Sequence, residues 1–529
     1  MGTRTFTVIN LEKYSRVLTT PQFILLNLTL GIGHFLVLLN AGAYLPMLPY
    51  IAGTTGVNFP YAVWGQCDYF TGMGAAFLIA RALMKRYGPK YVAIFSYILF
   101  AASSLVALFI IPFYSIYIAN RVVQGFSAGI SIISSFFLLL EYYKEEKQMT
   151  ANALWSLALF IPFSVGPALG GWLAYIMGDW RLLFIISCPI ALFVACMLWA
   201  LLADWEDEID SSYPISHVLR IFFLFFVAAI ALQEFFDVGL LDDLSSRFKE
   251  HWWLLLVFVV SAFLFVERNQ SSKTSILRTS IFSHPNYAYG MLILCLGFMG
   301  FQSAIVQYVL RIQLVEGYTA WHAGVLFLPI FVFSKPLSVL SQHLIHKGYD
   351  PRLLASISFL AFSVCFWWIS GYSRPATWET LLWPQFLMGA ALGLLFVSMT
   401  ATALSHVPKP DQMHAVDVLN TVRTLAAGLA ITFSDIGWAR LFDHEHHLLI
   451  TQGVSNSWRF VSDFNVPSAA HLLHERIRLQ SSLMTFNDLF HLLSILFVTL
   501  AILIWLARPA PKSVRDRDMD LLENLGEEP

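Results

Sequence analysis

Apolar runs of about twenty residues recur along this chain from Gln22 to Leu506, with only short polar interruptions. A run of that length crosses a ~30 Å hydrocarbon core as a helix. In lipid a helix is one of the two structures that satisfy every backbone N–H and C=O internally. Cutting at turn signals and charge clusters gives fourteen helices, near 22–49, 60–83, 91–112, 114–141, 150–176, 181–203, 216–238, 251–267, 285–310, 320–342, 352–371, 379–405, 414–438 and 486–507. The first run is too long for the core of a signal peptide and leads straight into a second, so it is expected to stay as a span.

Composition excludes several classes. Of 529 residues 57% are hydrophobic and 12% charged, about half the ~25% charge of a soluble protein, so a water-soluble domain is ruled out. The net charge of -2 and the lack of a long basic stretch argue against nucleic acid as a partner. Cys67, Cys188, Cys196, Cys295 and Cys365 all fall within apolar runs without CxxC spacing, so neither disulfides nor a metal site is expected. No nucleophile–base spacing appears in the spans, and an enzyme is not expected.

The expected fold class is an all-α membrane protein of two six-helix bundles plus two extra helices. Residues 1–203 form the first bundle, 204–284 two inserted helices with linkers, and 285–507 the second bundle, with an outer loop at 439–485 and a tail at 508–529. Eighteen Lys and Arg residues flank one set of span ends, against Arg181, Arg247, Lys249 and Arg374 at the other. That asymmetry puts both termini in the cytoplasm. The outer loop contains Asp443-His444-Glu445-His446-His447 and is read as a solvated loop in preference to a metal site. The stretch from Ala469 to Leu483 is read as a helix on the outer membrane surface or on a partner protein.

Two pairs of segments about 260 residues apart look alike. Leu83-Met84-Lys85-Arg86-Tyr87-Gly88 matches Leu344-Ile345-His346-Lys347-Gly348-Tyr349. Arg121-x-x-Gln124-Gly125-x-x-x-Gly129 matches Gln385-x-x-Met388-Gly389-x-x-x-Gly393. Parallel repeats of this kind are the layout of a two-bundle secondary transporter with its site between the halves.

The run from Asn120 to Gly129 resembles the fourth-helix R-x-x-Q-G motif of the major facilitator superfamily, and Ser164 to Gly171 resembles its fifth-helix G-P-x-x-G-G antiporter motif. With Ala153-Leu154-Trp155-Ser156, Gly317 to Trp321, Trp383 to Phe386 and Asn420 to Ala426 in the same order, the chain is most similar to fourteen-helix drug:proton antiporters of the EmrB/QacA type. The resemblance implies export of amphipathic compounds from the bacterial inner membrane, driven by the proton gradient and with no cofactor. For Gram-negative relatives it also implies a periplasmic adaptor protein and an outer-membrane channel. Two alternatives stay open: a dedicated natural-product or siderophore carrier, including a uniporter, and a non-transporting scaffold or sensor.

This sequence departs from the family pattern where Asn40 replaces an acid late in the first span, and where Arg81 to Lys90 contains no acid. A charge at the bilayer centre costs about 2.5–3.5 kcal/mol, so each intramembrane charge needs a partner, water or a role. Asp68, Arg121, Lys335, Arg423 and Asp435 lie well inside spans, while Glu141, Asp237 and Arg311 lie nearer their ends. Asn40, Asp68 and Arg121 share a depth of about 10–14 Å below the outer surface at 1.5 Å per residue. Asp68 is therefore expected to carry the proton in place of the missing acid, with Arg121 as a partner that it meets in one conformation; a static ion pair is the alternative. Its stripe with Thr71, Gly72 and Ala75 is expected to turn toward protein or cavity and not toward lipid. Asn40, Tyr69, Gln124, Phe160, Gln385, Asn420 and Arg423 are expected to line the substrate cavity, and Lys335 to snorkel inward. Gly166, Pro167, Gly170 and Gly171 are expected to form a hinge or outer seal, because proline removes a donor and glycine admits a close neighbour.

Overall fold

A computed structural model describes residues 18–509 apart from 58, 111–112, 144–163, 204–208, 239–243, 273, 373–375 and 464–466. Among the described residues there is no strand, and fourteen helical passes follow one another. They are α1 Thr20–Thr55, α2 Phe59–Tyr87, α3 Pro89–Ile110, α4 Tyr114–Glu141, α5 164–176, α6 Leu182–Leu201, α7 Ile215–Val238 and α8 Leu244–Ser271. After these come α9 Tyr287–Leu314, then α10, which is a short turn Ala320–Val325 continued by Leu328–His346, and α11 Pro351–Ser370, α12 Trp378–Leu404, α13 Lys409–Asp463 and α14 Pro467–Leu503. The expected spans fall on these passes, the fifth over its described part, 164–176. The last turns of α5, Trp172–Ile176, widen into a π-helix.

An even number of passes returns the chain to its starting face. There the Tyr143 hydroxyl at the end of α4 donates to Asn27 near the start of α1 at 2.8 Å, and Asn286 before α9 donates to the carbonyl of Arg508 at 2.8 Å. This is the terminal face, and the opposite one is the far face. Helices α1 to α6 pack mainly on one another, as do α9 to α14. α7 and α8 pair, and α7 lies against α2 and α13, which also touch each other across the seam between the two sets.

Water cannot supply a driving force between helices in lipid, so close van der Waals approach must. The two repeat motifs supply it in the same way. A Cβ at Gly125 or Gly129 would sit 2.0 or 2.4 Å from the carbonyl oxygens of Tyr69 and Met73 on α2. At Gly389 or Gly393 it would sit 2.3 or 2.2 Å from those of Ile330 and Ser334 on α10. The motifs thus press α4 on α2 and α12 on α10, backbone to backbone.

The expected outer loop at 439–485 is corrected: α13 and α14 run on through it as a projecting helical hairpin. With 55 residues, α13 is roughly 80 Å long at 1.5 Å per residue, far beyond a ~30 Å core. No proline falls between 411 and 466, and a ladder of rings at four-residue spacing supports the helix. Trp438 stacks on Phe442 at 5.0 Å and Phe442 on His446 at 5.5 Å. His446 also lies 3.3 Å from the Ser481 hydroxyl of α14. His446 thus packs and bonds within the hairpin, where polar composition alone gave it to a loop.

Gly393→Ala should lower stability by about 1–3 kcal/mol through overpacking, whereas Gly31→Ala, where nothing lies within 4 Å of the new methyl group, should not. Thermal unfolding in detergent measures both; equal melting temperatures would remove the backbone contact as a determinant of the bundle.

Candidate transport site at the seam

The cavity lies between the two sets of helices and has a volume of about 490 Å³. One wall carries His34 and Leu38 of α1 with Phe70, Met73 and Phe77 of α2; the other carries Phe298 of α9, Phe396 of α12 and Asn420 and Arg423 of α13. Among the described lining residues Arg423 bears the permanent charge, and no carboxylate joins it. Its guanidinium lies 5.2 Å from the ring centre of Phe298 and 4.9 Å from that of Phe396. Aromatic faces stabilise a cation without neutralising it, and its buried Nε donates to no acceptor among the described residues. An apolar, aromatic chamber with one cation suits an amphipathic molecule that carries negative charge or acceptor oxygens.

Each end of the seam is closed by different chemistry. At the far face a Cβ at Gly170 would fall 2.0 Å from the carbonyl oxygen of Ala43 in α1, and at Gly171 2.1 Å from that of Ala320 in α10. Gly324 of α10 stands equally close, 2.1 Å, to the carbonyl oxygen of Pro167, and Gly166 faces Gly42. The predicted hinge residues therefore form a dry contact of α1, α5 and α10. At the terminal face Arg81 of α2 forms an ion pair with Asp417 of α13, with a second bond from Nη2 at 3.2 Å. Arg278 adds a pair with Asp411 at 2.8 Å. The acid missing from the segment Arg81 to Lys90 is supplied by a distant helix. Arg81 is one turn beyond Phe77 and Asp417 nearly one turn before Asn420, so the pair stands at the rim of the chamber, about 6 Å below its wall.

Asn420 and Arg423 line this cavity as expected, but Asn40, Tyr69, Gln124 and Gln385 do not, and Phe160 lies outside the described residues. Their polar atoms are turned into helix packing. Asn40 donates to the carbonyl of Leu36 at 3.0 Å and to Ser187 of α6 at 2.9 Å, Tyr69 donates to the carbonyl of Val37 at 2.6 Å, and Gln124 donates to Ser104 of α3 at 2.8 Å. Gln385 is buried within α12. Lys335 is half-buried on α10.

Arg121 is fully buried. It donates to the Gly65 carbonyl at 3.0 Å and to Gln124 at 2.5 Å, with the rings of Tyr44 and Tyr69 each 4.5 Å from its guanidinium. It makes no ion pair with Asp68, whose two buried oxygens have no hydrogen-bond partner among the described residues. Helix rotation separates them. Gly65, Tyr69 and Gly72 turn one face of α2 to α4, whereas Asp68 shares a face with Ala75 and Ile79, which belong to an apolar cluster with Val218 and Phe222 of α7. The expected contact is therefore absent in this conformation.

Sequence reasoning missed His34, Phe70, Met73, Phe77, Phe298 and Phe396 as wall residues, and the Arg81–Asp417 pair. A lone histidine inside the first apolar run was a signal for His34. The phenylalanines gave none, since apolar rings facing a chamber and facing lipid read alike.

The family described as Major Facilitator Superfamily matches residues 30–431. Among curated relatives, the multidrug export protein EmrB of Haemophilus influenzae is 29% identical over 499 residues, covering 92% of this chain and 96% of that protein. The fatty acid resistance protein FarB of Neisseria gonorrhoeae is 28% identical, covering 91% and 95%. Among solved structures, a bacterial homolog of the human lysosomal transporter Spinster in an inward-facing, occupied conformation superposes with a TM-score of 0.62 at 13% identity, covering 92% and 97%. A D-xylose–proton symporter superposes at 0.56 with 13% identity, covering 92% and 98%. These two share the fold.

If the ion pair holds the terminal face closed, Asp417→Asn should speed thiol labelling of a Thr400→Cys wall residue, in a background with the native cysteines replaced. A pair worth up to about 1 kcal/mol predicts an increase of roughly two- to fivefold. An unchanged labelling rate would show that the pair does not gate the chamber.

Proposed function

This chain belongs to the Major Facilitator Superfamily, and from that membership and the geometry of the seam we propose that it is a secondary active exporter of amphipathic compounds, driven by proton antiport through alternating access. The observation that carries this reading is the chamber between the halves, lined by apolar and aromatic side chains with some uncharged polar ones such as Asn420 and Thr424, and with Arg423 as the permanent charge among the described lining residues. The printed functions of its relatives, multidrug export and fatty acid resistance, agree with such a lining. The terminal face is cytoplasmic by the distribution of basic residues, and the membrane is the inner membrane of a bacterium.

Substrate enters the chamber when the Arg81–Asp417 and Arg278–Asp411 pairs separate at the cytoplasmic rim. Its polar group meets the Arg423 guanidinium, and its apolar body packs among Phe70, Phe77, Phe298 and Phe396. Release outward requires the glycine contacts of α1, α5 and α10 to part. A proton taken up from the outer side by Asp68 drives the return and leaves on the cytoplasmic side, since an ionised carboxylate without a partner is costly at that depth. Asn40 has no ionisable proton and is fixed to Ser187, so the charge change falls to another carboxyl. The projecting hairpin of α13 and α14 offers the periplasmic adaptor a place to dock on the way to an outer-membrane channel.

Proteoliposomes with an internal pH dye and an acidic amphiphile test the reading. Wild-type protein should move protons inward as substrate moves out. Asp68→Asn should abolish the proton movement while substrate still binds; full coupling in a folded Asp68→Asn variant would reject the carrier role. Arg423→Leu should weaken binding of an anionic amphiphile about tenfold, or roughly 1.4 kcal/mol, and change binding of a neutral one of equal size little. Equal losses for both would assign Arg423 to packing.

A further inference from the structure

The two inserted helices have no place in a plain two-bundle transporter, yet α7 does more than fill lipid space. It lies on the flank of the α2–α13 seam and sends Gln233 and Asp237 into it, with 2% and 0% of their surface exposed. The Gln233 amide donates to Asp237 Oδ1 at 3.0 Å and to the Thr432 hydroxyl of α13 at 2.9 Å. The Thr432 hydroxyl in turn donates to the Asp237 carboxylate, and the Thr71 hydroxyl of α2 reaches Gln233 Oε1 at 3.5 Å. Gly428, one turn before Thr432, makes room: a Cβ there would lie 2.9 Å from Gln233 Oε1 and 3.0 Å from the Cys67 carbonyl oxygen. Three helices from three parts of the chain meet in one polar knot.

Beside the knot stand buried carboxylate oxygens without a hydrogen-bond partner among the described residues: both oxygens of Asp68, Oδ2 of Asp237 and Oδ2 of Asp435. Asp68 is fully buried, in helical register with Ala75 and Ile79, which cluster with Val218 and Phe222 of α7. The charged groups acting here are Asp68 from α2, Glu234 from α7 itself, Asp435 from α13 and Arg121 from α4. α8, the other neighbour of α7, carries Arg247, Lys249, Glu250 and His251 in its first turns. Arg121 is already engaged by Gly65, Gln124 and two tyrosine rings. Carboxylates gathered in a low-dielectric interior repel one another when ionised, so the number of protons they share changes how strongly they push their helices apart. Among the described residues no three acids, histidines or cysteines converge to hold a metal ion. Asp237 is the next-to-last residue of α7, which places the knot toward the far face, where a proton of the antiport cycle enters.

We propose that the first inserted helix supplies part of the proton site: Asp237, clamped by Gln233 and Thr432, shares protons with Asp68 and Asp435, and the number held sets how tightly α2 and α13 are joined. This rests on the antiport reading above. Loading protons removes the repulsion and lets the seam close; losing one restores it and strains the Thr432–Asp237 clamp, so charge is converted into movement between the halves.

The test is proton movement per substrate, and the pH profile of transport, in proteoliposomes of wild type, Asp237→Asn and Thr432→Val. Asp237→Asn should cut substrate-driven proton movement about fivefold or more while substrate binding holds, because Asp237 does not line the chamber. Thr432→Val keeps the acid but removes its clamp, and should move the pH midpoint of transport by about one unit. A folded Asp237→Asn variant with wild-type coupling would overturn the proposal. Should that variant not fold, a Thr432→Val profile that matches wild type would overturn it equally. A wild-type protein that moves no protons would reject the antiport reading itself, and transport driven by a sodium gradient alone would replace the proton as the ion of this site.

Discussion

Between α2 and α4 there is no side chain at the closest points, only backbone on backbone at Gly72, Gly125 and Gly129. That contact fixes the rotation of α2, and the rotation assigns every other face of the helix. Phe70, Met73 and Phe77 turn to the chamber. Cys67 and Gly74 turn to α13, and Thr71 lies where α13 and α7 meet. Asp68 and Ala75 turn to α7. A helix that stood farther from α4 could roll, and the carboxylate would lose its address.

The second set of helices repeats the contact at Gly389 and Gly393 but not the chemistry around it. Where α4 has Arg121 wrapped in tyrosine rings, α12 has Gln385. The repeat therefore preserves rigidity in both halves, while the buried arginine of the motif stands in the first half alone. The two ends of the seam differ as well. The far end is backbone against backbone, which excludes water and resists salt, and the terminal end is a set of partly exposed ion pairs, which water can take apart. A carrier built this way has one seal that responds to shape and one that responds to charge and ionic strength.

Much of the architecture was legible because lipid leaves so few options: run length gave the helix count, and the glycine spacing within Arg121 to Gly129 and Gln385 to Gly393 gave the close contacts. Rotation was not legible. Equal depth made Asp68 and Arg121 look like partners, but depth is one coordinate and azimuth another, and only the contacts at Gly65 and Gly72 reveal the second. Apart from Ala469 to Leu483, which was read as a helix, the stretch 439–485 was read as a loop because cutting at polarity cannot see a helix that has left the membrane. Asp237 was noticed only as an acid near a helix end, since its meaning depends on Thr432, which lies in a different part of the chain and carries no charge to attract attention.

Twelve of the described helices are long and apolar enough to cross a bilayer on composition alone, and α2 is not among them. From Ala62 to Ala80 it is buried on every side, so it meets protein where its neighbours meet lipid, and it can hold Gln66, Asp68 and Thr71 without solvent. During synthesis no such shelter exists when α2 first emerges. Its retention in the bilayer must wait on α1 and α4, which makes the early helices a co-operative unit of biogenesis and gives the nascent chain a stage at which its most polar span depends on companions not yet made.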